Sequence, residues 1–518
     1  MAGLHAWHGC SNWCLTQASF DELAFLRLWH DWVADAQRPT HLHVVAHTVA
    51  PLQTHALMHV AAAHPALQPL AQQLASQCWG LLPGIHRLRF ALSDHTDACV
   101  ALTLCVGAPE AWPEFANVLR AHPTGPCQAP SDTATLRERS VTIIGAGIAG
   151  AGTARALAER GWQVTVLEAG AAPAAGASGL PVGVVAPHTS QDDSSVSRLS
   201  RAGLRLMEHT MRARLVEGFD WGSTGVRERR LPGKTRRGGV PLSWLHEHAH
   251  TSIDWTHPAP PPAPDDAYWH PRGAWLRPVA LVQALLTHPN IRWQGHAQVD
   301  ALQHEGDMWH MRQGHKVLAT SSRVVLAAGP GSAGLITTAG GSAPRINPLR
   351  GQISWGLMAD VPEGAHLPAS PVNGHGSFVH HIPSTEGLAW FTGATYDRLN
   401  TQDGVRDADH ADNLERLRAL EPNTAEALAP LFATLGSDTP RVHGWAGVRC
   451  GVHDRLPMTG RVPNTPKGLY MNTAMGSRGL TLGLLCGELL AAQWQGEPLP
   501  IEARLAQFLD VTRFRSNT

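Results

Sequence analysis

The distribution of apolar and polar residues divides the chain into three zones. Residues 1–120 carry apolar stretches with helical and strand periodicity, but no glycine cluster follows any of them. Residues 121–139 are rich in Pro, Ser and Thr and poor in large apolar side chains, which is typical of a linker. From residue 140 onward, short β-branched runs alternate with longer apolar segments, which predicts an α/β domain. A proline-rich segment at residues 257–265 interrupts this zone and predicts a surface loop.

The third zone opens with a strand, a glycine-rich turn, a helix and a second strand in close succession. The β-branched run Val141–Ile144 is followed at once by Gly145, Gly147 and Gly150, and a second apolar run ends at Glu168. Glycines at these positions allow a tight turn, approach of a pyrophosphate to the backbone, and close packing of helix on strand. The N–H groups at the helix start attract phosphate, and the acid is placed to accept hydrogen bonds from a ribose. The complete fingerprint predicts a dinucleotide site rather than an ordinary strand–helix–strand turn.

Two later segments extend this prediction. Residues 323–329 (RVVLAAG) predict a buried strand ending in small residues, against which a cofactor could lie; an ordinary buried strand is the alternative. Residues 469–480 (LYMNTAMGSRGL) predict a strand, a glycine turn and the start of an apolar helix. The N-terminus of that helix would favour the negative charge of a reduced flavin.

Composition narrows the class of protein. The 518 residues suffice for two to four domains, and the net charge of −1 is not that of a general nucleic-acid binder. No run of eighteen apolar residues occurs, and the N-terminus lacks the features of a secretion signal, so we expect a cytoplasmic protein without a membrane span. The eight Cys and 31 His show no metal-ligand spacing, which predicts reduced thiols and no bound metal.

One local cluster departs from the neutral composition. Residues 227–237 (RERRLPGKTRR) contain six basic residues and one Glu. A solvated loop is the default interpretation of such a cluster, and an arm that contacts phosphates is the alternative.

Several short motifs of the third zone resemble one group of flavoenzymes. They are GASG at 176–179, GAWLRPVALVQALL at 273–286, LRGQIS at 349–354, FTGATYD at 391–397, GVRCGVHDRLPMTG at 447–460, MGSRGL at 475–480, GELLAAQWQGEPLP at 487–500 and the closing Arg513-Phe514. From Val141 to the end, the chain is similar to FAD-dependent amine oxidoreductases of the glycine oxidase and D-amino acid oxidase type. The resemblance is closer to the C-terminal half of the bifunctional tRNA 5-methylaminomethyl-2-thiouridine biosynthesis family, MnmC.

The resemblance implies a fold of the α/β and α+β classes. A Rossmann-like FAD-binding domain, from about residues 140–200, 280–340 and 441–518, would be interleaved with a substrate domain built on a mixed or antiparallel sheet, from about 201–279 and 341–440. We expect non-covalent FAD, because no Cys is well placed by sequence for covalent attachment. The expected FAD contacts are Gly145, Gly147, Ile148, Ala149, Gly150, Glu168, Ala177, Ser178, Val299, Ala328, Gly329, Gly476, Ser477, Gly479 and Leu480.

The first zone resembles the methyltransferase half of the same family in truncated form. Residues 79–90 (WGLLPGIHRLRF) and 100–107 (VALTLCVG) are similar to its interior. Residues 18–29 have no glycine where the family has a glycine-rich turn, and Ala108 stands where an acid is expected. We therefore interpret residues 1–120 as a degenerate α/β remnant that binds no S-adenosylmethionine, which makes a separate methyltransferase a candidate partner.

The resemblance also implies a reaction on tRNA. In this family the oxidative half removes the carboxymethyl group from 5-carboxymethylaminomethyluridine, with or without 2-thiolation, at the wobble position, giving 5-aminomethyluridine and glyoxylate. Arg449 falls where glycine-oxidase-like enzymes place a carboxylate-binding Arg, and a structural ion pair is the alternative. Tyr396 could donate its hydroxyl to the same carboxylate, or could simply pack in the core. Arg478 could stabilise the reduced ring or contact substrate, or could be a surface residue at a helix start.

Two other functions fit the sequence. A small-molecule amine or imino-acid oxidase of the same fold is favoured by the neutral overall charge. A non-catalytic flavin-binding scaffold for a separate methyltransferase is the other alternative, although intact cofactor motifs disfavour it.

Overall fold

A computed structural model of the protein describes most of the chain. The described residues are 6–92, 97–108, 114–128, 139–190, 192–229, 267–514 and, for the backbone alone, 257–258. Most of the predicted linker, most of the proline-rich segment and the basic residues 230–237 lie outside this part of the chain.

The first zone forms a four-stranded sheet. Its order is β1-β2-β4-β3, with β3 antiparallel to β4 and the other neighbours parallel. The strands are β1 (Asn12–Gln17), β2 (His41–Thr48), β3 (Gly84–Ala91) and β4 (Cys99–Val106). The helices are α1 (Glu22–Ala34), α2 (Thr54–Ala62), α3 (Gln68–Gln77) and α4 (Glu114–Ala121), and Pro65–Leu67 form a 3-10 turn. Helices α1 to α3 share an apolar core with one face of the sheet.

The turn between β1 and α1 is closed by its own side chains. The Asp21 carboxylate caps α1 by accepting a 2.7 Å hydrogen bond from the Ala24 N–H. Phe25 is fully buried, with the Phe20 ring centroid 5.6 Å away. Further along, Cys14 of β1 and Gly125 exchange backbone hydrogen bonds of 2.8 Å, so the start of the predicted linker lies against this sheet.

The third zone supplies the remaining elements. Its strands are β5 (Ser140–Ile144), β6 (Gln163–Leu167), β7 (Gly183–Val185), β8 (Trp221–Gly222), β9 (Val226–Arg229), β10 (His257–Pro258), β11 (Ala267–His270), β12 (Ala274–Leu276), β13 (Ile291–Gln294), β14 (Ala301–Glu305), β15 (Met308–Gln313), β16 (Lys316–Ser321), β17 (Val324–Leu326), β18 (Asn347–Leu357), β19 (Val372–Gly374), β20 (Gly376–Ser384), β21 (Gly387–Gly393), β22 (Asp397–Arg398), β23 (His443–Gly451), β24 (Met458–Arg461) and β25 (Leu469–Thr473). Its helices are α5 (Ile148–Ala158), α6 (Ser195–Arg214), α7 (Pro278–Leu286), α8 (Ser332–Thr338), α9 (Asp407–Leu420), α10 (Pro422–Phe432), α11 (Gly479–Gln495) and α12 (Ala503–Leu509). Short 3-10 turns are Ala177–Gly179, Gly329–Gly331, Met358–Asp360 and Val511–Phe514.

Two large sheets organise the third zone. A six-stranded sheet has the order β13-β6-β5-β17-β25-β24 and is parallel except at β24. A nine-stranded sheet has the order β10-β11-β9-β19-β20-β21-β18-β22, with β23 also paired to β18, and only its β9–β19 pair is parallel. Small three-stranded sheets, β7-β12-β8 and β14-β15-β16, complete the zone. The predicted combination of a Rossmann-like sheet with a mixed-sheet domain is confirmed.

The face of the N-terminal sheet opposite helices α1 to α3 packs on α5, on α11 and on the residues that follow each of these helices. Buried charged side chains form much of this contact. Arg89 of β3 reaches Glu159 at 3.1 Å and Glu488 at 3.0 Å. Arg160, just after α5, lies 2.7 Å from both Glu488 and Glu497. Burial alone would raise the pKa of Glu488, but Arg160 and Arg89 lower it to about 2. Burying ions is costly unless they are paired, and here each acid meets at least one guanidinium.

The described residues contain neither a membrane-spanning helix nor a metal cluster. None of the helices in this part of the chain is long and apolar enough to cross a bilayer. The same residues include no set of three or more His, Cys, Asp or Glu side chains that could hold a metal ion.

Replacing Arg160 with Met should strongly destabilise the full-length protein. Glu497 would then be buried without its guanidinium, and breaking a buried pair typically costs about 3–5 kcal/mol of unfolding free energy. Urea denaturation followed by Trp fluorescence measures this loss. Arg418→Ala is the control, because the Arg418–Glu415 pair is exposed and should contribute at most about 1 kcal/mol. Equal losses in the two variants would show that the buried cluster is energetically unimportant.

Candidate active site

A cavity of about 1030 Å³ lies between the two large sheets. Ile144, Leu167 and Ala327, at the carboxyl ends of β5, β6 and β17, form one wall. Ile353 of β18 and Arg449 of β23 lie on the facing wall. Ligands of open α/β sheets bind outside the carboxyl ends of the parallel strands, so the cavity has the expected location for a cofactor.

Each of the three glycines in the turn after β5 lacks a side chain for a different structural reason. Gly145 has φ +105°, and a Cβ there would lie 2.5 Å from the Ala327 carbonyl oxygen. A Cβ at Gly150 would lie 1.9 Å from the Gly145 carbonyl oxygen, so Gly150 packs against the turn and does not reach the cavity wall. Gly147 is the N-cap of α5 and faces the cavity. Of the three, Gly147 is therefore the position at which an added side chain would enter the cavity.

Glu168 and Ser178 complete the end of the cavity nearest α5. The Ala146 N–H donates to Glu168 Oε2 at 2.7 Å, and the Gly170 N–H donates to Oε1 at 2.9 Å. A carboxylate accepts about four hydrogen bonds, so capacity remains for ribose hydroxyls. The Ser178 hydroxyl accepts from the Ile148 N–H at 2.9 Å, at the helix N-terminus where a phosphate would bind. This end of the cavity fits the adenosine and pyrophosphate of a dinucleotide.

The other predicted cofactor contacts reach the same cavity. They come from α5, from the Ala177–Gly179 turn, from the chain before β14, from the end of β17 and from the start of α11. They are Ile148, Ala149, Ala177, Val299, Ala328, Gly329, Gly476, Ser477, Gly479 and Leu480.

Arg449 projects from β23, opposite Leu349 of β18. Its Nη2 donates to the Thr395 carbonyl and its Nη1 to the Ser477 hydroxyl, both at 3.2 Å. No carboxylate among the described residues lies within ion-pair distance of it, so no structural ion pair accounts for it there. Burial lowers the pKa of its guanidinium, which Tyr396 partly offsets; the group stays charged, because arginine is not deprotonated in proteins. It is thus a cation oriented by neutral groups and available to an anion.

Tyr396 and Arg478 lie near Arg449 but differ in access to the cavity. The Tyr396 ring is 43% exposed, so it is not a core residue, and its centroid is 5.4 Å from Arg449 Cζ. Arg478 is the N-cap residue of α11, donates to the Arg455 carbonyl at 3.2 Å and does not line the cavity.

Several cavity residues are absent from the sequence predictions. Arg398 directly follows the FTGATYD motif, and this position next to Tyr396 was the signal that the sequence offered for it. His375 and Arg416 are far apart in sequence, and only the fold brings His375 Nε2 to 3.1 Å from Arg416 Nη1. Trp445 also lines the cavity, in the strand that carries Arg449.

Cys450 bears on how a flavin would be held. It lines the cavity, although the sequence suggested no Cys in a suitable place. Its thiol lies 3.6 Å from the Thr473 hydroxyl, and burial raises its pKa. The Thr473 contact alone would lower this pKa, but burial outweighs it, so the net shift disfavours the thiolate that covalent attachment would require.

The basic cluster at residues 227–237 is described only at its start. Arg227 pairs with Glu421 at 2.6 Å, and Arg229 donates to the Leu420 carbonyl. These two residues therefore have structural partners, and the remaining basic residues lie outside the described residues.

Comparison with known proteins agrees with this geometry. The family model described as FAD dependent oxidoreductase matches residues 140–493. A glycine oxidase structure from Geobacillus kaustophilus superposes with a TM-score of 0.52 at 20% identity, covering 69% of this chain and 94% of that one. The fold and the cavity thus define an FAD-dependent oxidoreductase.

Two relatives assign the chain to a particular family. The tRNA 5-methylaminomethyl-2-thiouridine biosynthesis bifunctional protein MnmC of Polaromonas naphthalenivorans is 37% identical, with 98% of this chain and 91% of that protein covered. The protein of the same name from Paracidovorax citrulli is 38% identical, with 98% and 93% covered. The chain belongs to the MnmC family.

Gly147→Val should abolish flavin binding. The Cβ would lie 3.1 Å from Ser178 Oγ, and the two further methyl groups would occupy the space that a pyrophosphate needs. The purified variant should be colourless, whereas the wild type should be yellow; visible absorbance and release of FAD by heat measure the difference. Gly334→Val is the control, since a Cβ there meets nothing within 4 Å and Gly334 does not line the cavity. An equally yellow Gly147 variant would refute the assignment of this turn to the cofactor.

Proposed function

We propose that the protein removes the carboxymethyl group from 5-carboxymethylaminomethyluridine, with or without 2-thiolation, at the wobble position of tRNA. The products are 5-aminomethyluridine and glyoxylate, and the tRNA substrate places the enzyme in the cytoplasm. The observation that carries the proposal is Arg449, a guanidinium at the cavity wall with no acid partner among the described residues. Membership of the MnmC family supports the choice of tRNA as substrate.

FAD is proposed to bind without a covalent bond. Gly147 and Ser178 would hold the pyrophosphate at the N-terminus of α5, and Glu168 would accept hydrogen bonds from the ribose. Gly476 and Gly479 would leave room for the ring at the start of α11. When bound there, FAD would be the oxidant and would accept a hydride from the substrate.

The protein's own residues orient the substrate. Arg449 would bind the carboxylate through two parallel hydrogen bonds, because its planar fork matches a carboxylate. The Tyr396 hydroxyl would donate to the same carboxylate, and Arg478 would add positive charge at this end of the site. Holding the carboxylate fixes the methylene between it and the nitrogen, so positioning is the main catalytic contribution. Loss of hydride from that carbon leaves a C=N bond, to which water adds; cleavage then gives the primary amine and glyoxylate.

The N-terminal sheet is proposed to be a structural remnant without methyltransferase activity. Phe20 of the turn before α1 packs on the buried Phe25 of that helix, and the Asp21 carboxylate already accepts a hydrogen bond from an N–H group at the helix start. A methyl donor needs close approach to a glycine backbone at such a turn. Methylation of the aminomethyl product would then require a separate methyltransferase.

Nucleoside analysis of tRNA tests the proposed function directly. A strain that lacks this gene should accumulate carboxymethylaminomethyluridine in its tRNA. The purified protein should convert that tRNA while leaving free glycine and sarcosine unchanged. Oxidation of the small amines without conversion of tRNA would instead establish a small-molecule oxidase, and bound flavin without either activity would establish a scaffold.

Arg449→Ala should lower kcat/KM for the carboxymethylated substrate strongly. The carboxylate would lose its bidentate partner, a loss of about 2–5 kcal/mol in transition-state stabilisation by analogy with truncated buried pairs. Arg449→Lys should recover only part of the activity, because an ammonium cannot reproduce the fork. Arg441→Ala is the control: its side chain is 55% exposed and pairs with Asp360 at 3.5 Å. Unchanged kinetics in Arg449→Ala would place the carboxylate site elsewhere.

The protein should not bind S-adenosylmethionine. Titration calorimetry with the full chain should give no binding heat at micromolar concentrations, and tRNA carrying aminomethyluridine should acquire no methyl group. Binding at micromolar affinity, or methyl transfer, would show that the first zone is a functional methyltransferase.

A further inference from the structure

We propose that the rim of the cavity, formed by the exposed Arg398 and the half-buried Arg416 and His375, binds the phosphodiester backbone of the RNA that carries the target nucleotide. This cationic rim lies beside the carboxylate site and is distinct from it. The inference rests on the proposed function, because it specifies how that substrate is held outside the cavity.

Charge is distributed unevenly along the cavity. Among the described residues that line it, Glu168 is the only carboxylate, and it lies at the end formed by the turn before α5. The cationic lining residues Arg398, Arg416 and Arg449 all belong to the nine-stranded sheet or to α9, which packs on it. The lining on that side therefore carries three guanidiniums and no acid, although Asp412, which is not a lining residue, pairs with Arg416 at 3.0 Å.

The guanidiniums on this side have different environments. Arg449 is fixed by Thr395 and Ser477, which suits it to a small group inside the cavity. Arg398 is exposed, and its Cζ lies 5.8 Å from the Tyr396 ring centroid. Within the described chain no carboxylate is in ion-pair distance of Arg398. The Arg398 guanidinium therefore lies at the opening, in contact with solvent, and forms no ion pair with the described residues.

Arg416 is partly engaged and partly free. Its Nε donates to Asp412 at 3.0 Å, and its Nη1 lies 3.1 Å from His375 Nε2. Its Nη2 has no hydrogen-bond partner among the described residues. The side chain is 19% exposed, so the remaining donors can meet a ligand at the rim.

The rim is held by rigid structure. Arg398 lies in β22, which pairs with β18 at Leu349. The neighbouring Arg350 is fully buried and pairs with Asp409 of α9 at 2.7 Å. This pair ties the strand that supports Arg398 to the helix that carries Arg416, which fixes both cations relative to the opening.

The guanidiniums of Arg398 and Arg416 at the rim are better explained by binding of an RNA backbone than by binding of a small substrate. A small amino acid would be enclosed near Arg449 and would need no further charge at the opening. A nucleotide within RNA has phosphates on the 5′ and 3′ sides of its ribose, and these phosphates must stay outside when the modified base enters a cavity. Arginines at the rim would neutralise these phosphates.

The test uses full-length protein and a synthetic anticodon stem-loop RNA. Binding is measured by fluorescence anisotropy over a range of salt concentrations for the wild type and for Arg398→Gln/Arg416→Gln. The double variant should bind more weakly, and the slope of log Kd against log salt should fall by about 0.7 for each lost single-strand phosphate contact. Arg418→Gln is the matched control, because Arg418 lies on the same helix, is exposed and does not line the cavity.

A kinetic comparison separates the rim from the carboxylate site. The ratio of kcat/KM for modified tRNA to that for the free modified nucleoside should fall about tenfold in the double variant. An unchanged salt slope, or an equal fall for both substrates, would overturn the inference. Wild-type protein that binds the RNA with the expected slope but converts no tRNA would refute the proposed function and leave the rim intact. Wild-type protein that does not bind the RNA would refute the rim.

Discussion

The end of the cavity beside α5 depends on one close backbone contact, that of Gly150 with the carbonyl of Gly145. A Cβ at Gly150 would lie 1.9 Å from that oxygen, so α5 packs on the end of β5 at a distance that only glycine permits. The contact directs the N-terminus of α5 towards the cavity, beside Ser178. A second close approach, of Gly145 to the Ala327 carbonyl, joins the same turn to the end of β17. The phosphate end of the site is consequently built by backbone, which leaves its position little freedom.

Positive charge has two uses in this protein, and the presence of an acid partner distinguishes them. Arg160 is 7% exposed and meets two carboxylates at 2.7 Å, because an unpaired ion could not be tolerated at that depth. Arg449 lines the cavity and Arg398 lies at its opening, and neither has a carboxylate partner among the described residues. Contact with solvent lowers the desolvation free energy that an unpaired cation would otherwise cost. The same separation supports the proposal that the cavity takes an anionic ligand, whereas the buried cluster pairs its charges within the fold.

The sequence was sufficient for the fold class, the family and the FAD cofactor, but less so for the site. Strand, glycine turn and acid are local signals, and each follows from backbone sterics at residues such as Gly145. The meeting of His375 with Arg416 depends on pairing between distant strands and helices, which no local pattern encodes. A motif that carries the resemblance need not supply the site: Arg350 of LRGQIS is fully buried against Asp409. The domain boundaries and the roles of the site residues stay predictions.

If the first zone is the remnant proposed above, its contacts with the flavin domain account for its retention. Trp79 and Leu82 of the first zone belong to the same apolar core as α5 and α11. Arg205 of α6 donates to the Trp79 carbonyl at 2.6 Å, and Arg89 reaches Glu488 of α11. These contacts use the face of the sheet opposite α1 to α3, whereas a methyl donor would bind at a turn near α1. Substitutions that closed that turn would leave the interface intact, so selection for stability of the flavin domain would be enough to keep a remnant of the proposed kind.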